Sequence, residues 1–153
     1  MRQIKIFRLL QRAHAVLFRA TNQSLKTELG ITTSQLAVLV ELTRKDRSPI
    51  SAIADELKMG RSSLTQLIDR MTEKGLVCRY QSDQDGRSFE VTIEDKGRRA
   101  RAAALSLMKG FNAALLDSFS AEESRVIERF LAHLADNAGD IVDAHISSET
   151  SSR

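Results

Sequence analysis

Two places in this chain concentrate side chains that make hydrogen bonds at a distance from the backbone. Arg61, Ser62, Ser63, Thr65 and Gln66 open a segment whose apolar residues, Leu64, Leu67, Ile68 and Met71, recur at helical spacing, with Arg70 further along. Arg87 stands in the charged run Ser82-Asp83-Gln84-Asp85-Gly86-Arg87-Ser88, where a hairpin would project it outward, and Arg79 precedes that run. Hydroxyls, a carboxamide and guanidinium groups are the groups that bond base edges and phosphates. A carboxamide pairs bidentately with an adenine edge, which makes Gln66 the leading candidate for base reading. Arg87 suits the narrow minor groove of A·T-rich DNA. Arg70 is expected to hold phosphate or a neighbouring acid, Asp69 or Glu73, and Arg79 and Ser88 are secondary phosphate candidates. Plainer roles compete: Ser62 or Ser63 could cap the helix, and the charged run could be a solvated hairpin tip.

The elements around these residues give them their meaning. Residues 51–58 read as a short helix, with Ile53, Ala54 and Leu57 on its apolar side, followed by a turn at Lys58-Met59-Gly60. The helix from Arg61 runs to about residue 74 and is closed by Gly75, as a C-terminal glycine closes a helix. Residues 76–81 and 89–93 are strand-like, and in the second Phe89, Val91 and Ile93 alternate with Glu90 and Thr92. A helix slim enough for a major groove, beside an Arg-bearing hairpin, is what reading duplex DNA requires.

On the N-terminal side, residues 3–28 are apolar on more than one helical face, which predicts burial partly against another molecule. Gly30 ends that helix. Thr32-Thr33-Ser34-Gln35 has the form of a capping box and opens a helix over about 33–45, with Leu36, Leu39, Val40 and Leu42 inward. Asp46-Arg47-Ser48-Pro49 breaks the chain and leaves room for a very short strand. On the C-terminal side, a helix from Glu94 carries Leu105, Met108, Phe111 and Leu115. A second capping box, Ser120 with Glu123, opens a last helix whose stripe includes Phe130, Leu131, Leu134 and Ile141. Both end segments carry more apolar surface than the central unit can cover, so a second copy is expected to bury it across a two-fold interface. The expected organisation is an N-terminal dimerisation helix over 1–30, a DNA-binding region over 31–97, C-terminal dimerisation helices over 98–146 and a disordered Ser-rich tail over 147–153.

Bulk properties agree. The chain has 153 residues, 42% hydrophobic and 28% charged, with one Pro and no Trp. That is one domain's worth, or one domain plus an assembly extension, leaning helical. A net charge of +3 is small, but it is unevenly spread. Residues 1–30 carry six basic side chains against Glu28 alone, whereas residues 102–153 carry four basic against eight acidic. A basic front and an acidic back suggest that one face meets phosphate and another faces away from it, with solvated helix faces an equal alternative for any individual charge. The N-terminus lacks a signal peptide's apolar core, and no apolar run approaches a membrane span. One Cys excludes an intrachain disulfide, and a cytoplasmic location is expected. No Ser, His and acid cluster or phosphate-binding glycine loop points to an enzyme. His14, His133 and His145 lack metal-ligand spacing with one another or with Cys78, so no metal or other cofactor is expected.

The stretch Leu57-Lys-Met-Gly-Arg-Ser-Ser-Leu-Thr-Gln-Leu-Ile-Asp-Arg-Met-Thr-Glu-Lys-Gly-Leu-Val77, with Asp85-Gly86-Arg87 and Val91-Thr-Ile-Glu-Asp-Lys-Gly97, closely resembles the MarR family of bacterial transcriptional regulators. Thr32 to Leu39 fits the family's second helix. The resemblance spans about residues 3–143. It implies a mainly α (α+β) winged helix-turn-helix fold and a homodimer on a pseudo-palindromic operator in double-stranded DNA, acting as a repressor. In such wings the residue at Asp85 orients Arg87 or a neighbouring Arg. The family also implies a small aromatic or anionic effector between the dimerisation helices and the winged unit, with His14, Phe18, Arg19 and Phe111 as candidate contacts. Some relatives sense oxidants through a thiol in the first helix, where this chain has none, so Cys78 reads as a packing residue. Two departures bear on local geometry: Lys58 replaces a frequent Gly, and Glu94 replaces a frequent capping Thr. Two other functions compete, a DNA-binding activator or architectural protein without a ligand, and a winged helix used for protein contact.

Overall fold

The computed structural model describes residues 5–43, 47–82 and 88–151, and the side chains of these up to residue 147. The elements follow in order α1 (Ile6–Leu29), α2 (Thr33–Glu41), β1 (Ser48–Pro49), α3 (Ile50–Glu56), α4 (Arg61–Glu73), β2 (Val77–Gln81), β3 (Phe89–Ile93), α5 (Asp95–Leu116) and α6 (Ala121–Ser151). The sheet order is β1-β3-β2, antiparallel throughout. The chain divides into two compact units, Met1–Leu107 and Met108–Arg153. Among the described residues no helix is long and apolar enough to cross a membrane.

The helix boundaries follow from local chemistry. Thr32 and Gln35 form a reciprocal capping box: the Gln35 amide donates to the Thr32 hydroxyl at 3.1 Å, and the Thr32 amide to the Gln35 side chain at 3.0 Å. Gly30 and Gly75 end α1 and α4 in the left-handed region, at φ 66° and 68°. Lys58 ends α3 in the same conformation, at φ 52°. The Met59 amide reaches the Ala54 carbonyl and the Lys58 amide that of Asp55, the paired bonds of a Schellman turn. A Cβ in this region costs about 1–2 kcal/mol, which the turn between α3 and α4 absorbs because its hydrogen bonds hold it.

The core of the first unit is built from one face of each short helix and the inner face of the hairpin. Leu64, Leu67, Ile68 and Met71 of α4 are all buried, each contributing roughly 1.5–3 kcal/mol of transfer free energy. They pack in a core with Leu39, Ile53, Val77 and Val91, all buried. In α2 the inward set differs from the expected one: Val38 is buried and Val40 is exposed. Positions 35, 38, 39 and 42 share a helical face, and Gln35 joins it because its amide group is occupied by the capping box. Gly97 lets α5 start against this core. A Cβ there would collide with the Leu76 carbonyl oxygen and press on Ile93 and Leu39. The same carbonyl accepts the Glu94 amide at 3.0 Å, so Glu94 enters α5 through its backbone.

In the second unit Ser120 and Glu123 form the expected capping box, with the Ser120 amide donating to the Glu123 carboxylate at 2.8 Å. Those bonds hold the Glu123 carboxyl below its ordinary pKa. The chain departs from the sequence reading at its end. Where a disordered tail was expected over 147–153, α6 runs on through Ser151. A helix already 26 residues long at that point extends without a new nucleation step, and neither Gly nor Pro interrupts residues 147–151.

Candidate nucleic-acid interface

α4 presents a polar face opposite its buried one. Arg61, Ser62, Ser63, Gln66 and Arg70 are exposed, and Thr65 is half-buried at the edge. Helical spacing puts Ser62 and Gln66 directly opposite Leu64, Ile68 and Met71, which are buried. The N-cap is Gly60, with no side-chain cap, so neither Ser62 nor Ser63 serves that role. The open first turn therefore keeps backbone N–H groups and two serine hydroxyls available to an anionic partner. The Thr65 hydroxyl donates to the Arg61 carbonyl at 2.9 Å, which leaves it only acceptor capacity toward a ligand.

The hairpin base is set by register. Gln81 pairs with Phe89, Tyr80 with Glu90 and Arg79 with Val91, and the Ser82 amide donates to the Ser88 carbonyl at 2.9 Å. Asp85 and Arg87 lie outside the described residues. Strand alternation puts Arg79 on the inner face beside Val77 and Phe89, and Tyr80 on the outer face beside Glu90 and Cys78. On the outer face Arg47 stacks on the Tyr80 ring at 4.6 Å and lies 3.7 Å from the Glu90 carboxylate. The Cys78 side chain, first by hydrogen bond and then by charge, pushes the Tyr80 phenol above its ordinary pKa of 10.0.

Arg79 is engaged on two sides. Its Nη1 donates to Asp69 Oδ1 of α4 at 3.0 Å, and its guanidinium lies over the Phe89 ring at 3.7 Å. Its Nε is buried. Asp69, suggested by the sequence as a partner for Arg70, is thus taken by Arg79, and Arg70 remains exposed. Sequence reasoning missed Asp69 and Phe89 as partners. A signal was present, since an Arg in the inward phase of a strand needs a compensating group. Arg61, Thr65, Arg79 and Ser88 also line an open groove of about 280 Å³, together with Pro49, Ile50, Ser51 and Phe89. The structure thus brings Arg61, Thr65, Arg79 and Ser88 to one place, with Ser62, Ser63, Gln66 and Arg70 along the adjoining face of α4.

Of the candidate effector contacts, His14 and Phe18 lie one turn apart on α1 with ring centroids 5.7 Å apart, and Arg19 is exposed beside them. Phe111 belongs to the second unit, where it is half-buried. Among the described residues no group of three His, Cys, Asp or Glu could hold a metal ion.

Comparison with known proteins agrees with this geometry. The MarR family model matches residues 31–89. The HTH-type transcriptional repressor MdtR of Bacillus subtilis is 28% identical over 109 residues, 71% of this chain and 70% of the relative. A mutant MarR from E. coli complexed with operator DNA superposes with a TM-score of 0.77 at 23% identity, covering 86% of this chain and 94% of that one. The PcaV transcriptional regulator from Streptomyces coelicolor, in complex with its natural ligand, gives a TM-score of 0.71 at 23% identity, covering 90% and 99%. At such identity the structural likeness speaks for the winged helix fold, and the matched segment runs from the start of the α2 cap to the first residue of β3. Over this winged segment the chain is similar to the MarR family of regulators.

Proposed function

We propose that this protein is a dimeric transcriptional repressor that binds a pseudo-palindromic DNA operator and is released from it by a small ligand. The observation that carries the DNA half is the face of α4. Its first turn is uncapped, its polar side chains are exposed, and a hairpin base adjoins it. Ser62, Ser63 and Gln66 meet base edges and phosphates in the major groove, with Gln66 pairing to adenine. Arg61 and Arg70 hold the phosphates on either side. Arg87 enters the neighbouring minor groove and Asp85 orients it. Two copies set their α4 helices about one helical turn apart on the duplex.

Support for the second copy comes from exposed apolar side chains. Phe119, Val126, Leu131 and Val142 of the second unit keep about half their surface open, as do Leu9 and Val16 of α1. Surface of this kind on a soluble helix marks an interface. The charge distribution fits a partner of the same sequence, since a basic first helix and acidic last helix attract across two copies. The effector half has narrower support: an exposed ring pair at His14 and Phe18 beside the Arg19 cation, which suits an aromatic or anionic ligand. Release requires the ligand to favour the non-binding conformation, by about 1–3 kcal/mol of coupling.

Footprinting on the DNA upstream of the protein's own gene, with and without candidate aromatic acids, tests both halves. A protected palindrome that a ligand relieves is the expected result. Protection that no ligand relieves removes the effector half, and no protection at modest salt removes the DNA half.

A further inference from the structure

Arg79 touches three elements at once. It leaves β2, donates to Asp69 of α4 and stacks on Phe89 of β3. α4 carries the side chains proposed for the major groove, and β2 and β3 lead into the wing. Phe89 lies diagonally across the strand pair from Arg79, the spacing at which long side chains meet. The guanidinium is therefore fixed by a carboxylate at one edge and by a ring on its face. A cation already neutralised by an acid at 3.0 Å adds little attraction for phosphate.

We propose that Arg79 is a positioning residue: through Asp69 and Phe89 it holds the wing at a fixed distance from α4, and it is not a phosphate contact. The proposal rests on the DNA-binding function argued above. It has a consequence of unusual sign. Asp69 is an exposed acid on a helix that faces phosphate, so simple electrostatics has its removal tighten DNA binding. If it anchors Arg79, its removal weakens binding instead.

The test measures the affinity of the full-length protein for a duplex selected from a random-sequence pool, by fluorescence anisotropy at fixed salt. Asp69→Asn, Arg79→Lys and Phe89→Leu are compared with the unmodified chain, with melting curves to establish that each is folded. The expected result is weakening of roughly fivefold for each of the first two, and no further loss in the double variant. Lys keeps the charge but cannot reproduce the fork and the stacking, so it does not rescue. Hydrogen exchange on the free variants gives a second readout, with hairpin amides exchanging faster while those of α2 are unchanged. Asp69→Asn binding as tightly as the unmodified chain or tighter, full affinity with Arg79→Lys, or losses that simply add would each overturn the role. An unmodified chain that binds no selected duplex would overturn the DNA-binding function and this role with it. Loss of affinity confined to the variants separates the two.

Discussion

Two amphipathic helices of this chain end in opposite situations. Leu64, Ile68 and Met71 of α4 are fully buried, whereas Phe130, Leu131 and Ile141 of α6 keep 37%, 48% and 45% of their surface exposed. Both helices have apolar residues at 3,4-type spacing, so sequence pattern does not separate them. The difference lies in what surrounds them. α4 sits among α3, β2 and the rest of a small closed core, while among the described residues of α6 none is buried. One region completes its core within a single chain; the other leaves its apolar stripe open, as the proposed dimer requires. Folding of the winged part and assembly of the protein are therefore separable properties, which mutations can pull apart.

The largest expected effect belongs to the closed core. Gly97→Ala places a Cβ against the Leu76 carbonyl, and the backbone at the start of α5 must move. A loss of roughly 2–3 kcal/mol in urea-induced unfolding is expected. An unchanged midpoint would show that the junction of α5 with the hairpin is looser than the geometry implies. On the other side, Phe130→Glu puts a charge into the exposed stripe of α6. It should weaken the dimer by about 30-fold or more in sedimentation equilibrium, while the circular dichroism of the monomer stays helical. A dimer constant unchanged by this substitution would break the comparison, because the open stripe would then have no partner in a second copy.

Smaller effects sharpen it. Lys58 holds a left-handed conformation inside the turn between α3 and α4. Lys58→Gly should raise stability by up to about 1 kcal/mol, read as a few degrees in Tm, with no change in dimer affinity. The smallest effect concerns the first turn of α6. Glu123 has a folded-state pKa below its ordinary 4.5, because it accepts the Ser120 backbone and side-chain hydrogen bonds. Its contribution is therefore present above that value and lost as pH falls through the folded pKa. Glu123→Gln removes the titrating carboxylate and should flatten the acid limb of the helix melting profile. A profile as steep as that of the unmodified chain would remove the cap from the account.

What could be read from the sequence, and what could not, divides along the range of the interactions. The two capping boxes and the glycines at 30 and 75 depend on residues within six positions of each other, and each is legible as a string. The buried set of α4 is legible because its apolar residues share one face. The strand Ser48–Pro49 could be anticipated as short, but its pairing with β3 spans more than forty residues and leaves no local mark. Val38 displaced Val40 in the core because Gln35, a polar residue, turned out to share the inward face through its cap. The helix through Ser151 departs from the expected tail because the length of the preceding helix outweighs the weak preference of a Ser-rich end. Of the candidate contacts with DNA, the exposed face of α4 was readable from helical periodicity. The occupation of Arg79 by Asp69 and Phe89 depends on how the hairpin packs on α4, and only its inward strand phase hinted at it.

The central claim is that two copies of the winged part read duplex DNA through α4. Selection of bound duplexes from a random-sequence pool, followed by sequencing, tests it most directly. The account predicts enrichment of a pseudo-palindrome with half-sites about one helical turn apart, and altered preference at one symmetric base pair when Gln66 is replaced by Ala. Absence of any enriched sequence at modest salt, or enrichment of a site that Gln66→Ala and Arg61→Ala leave untouched, would contradict it.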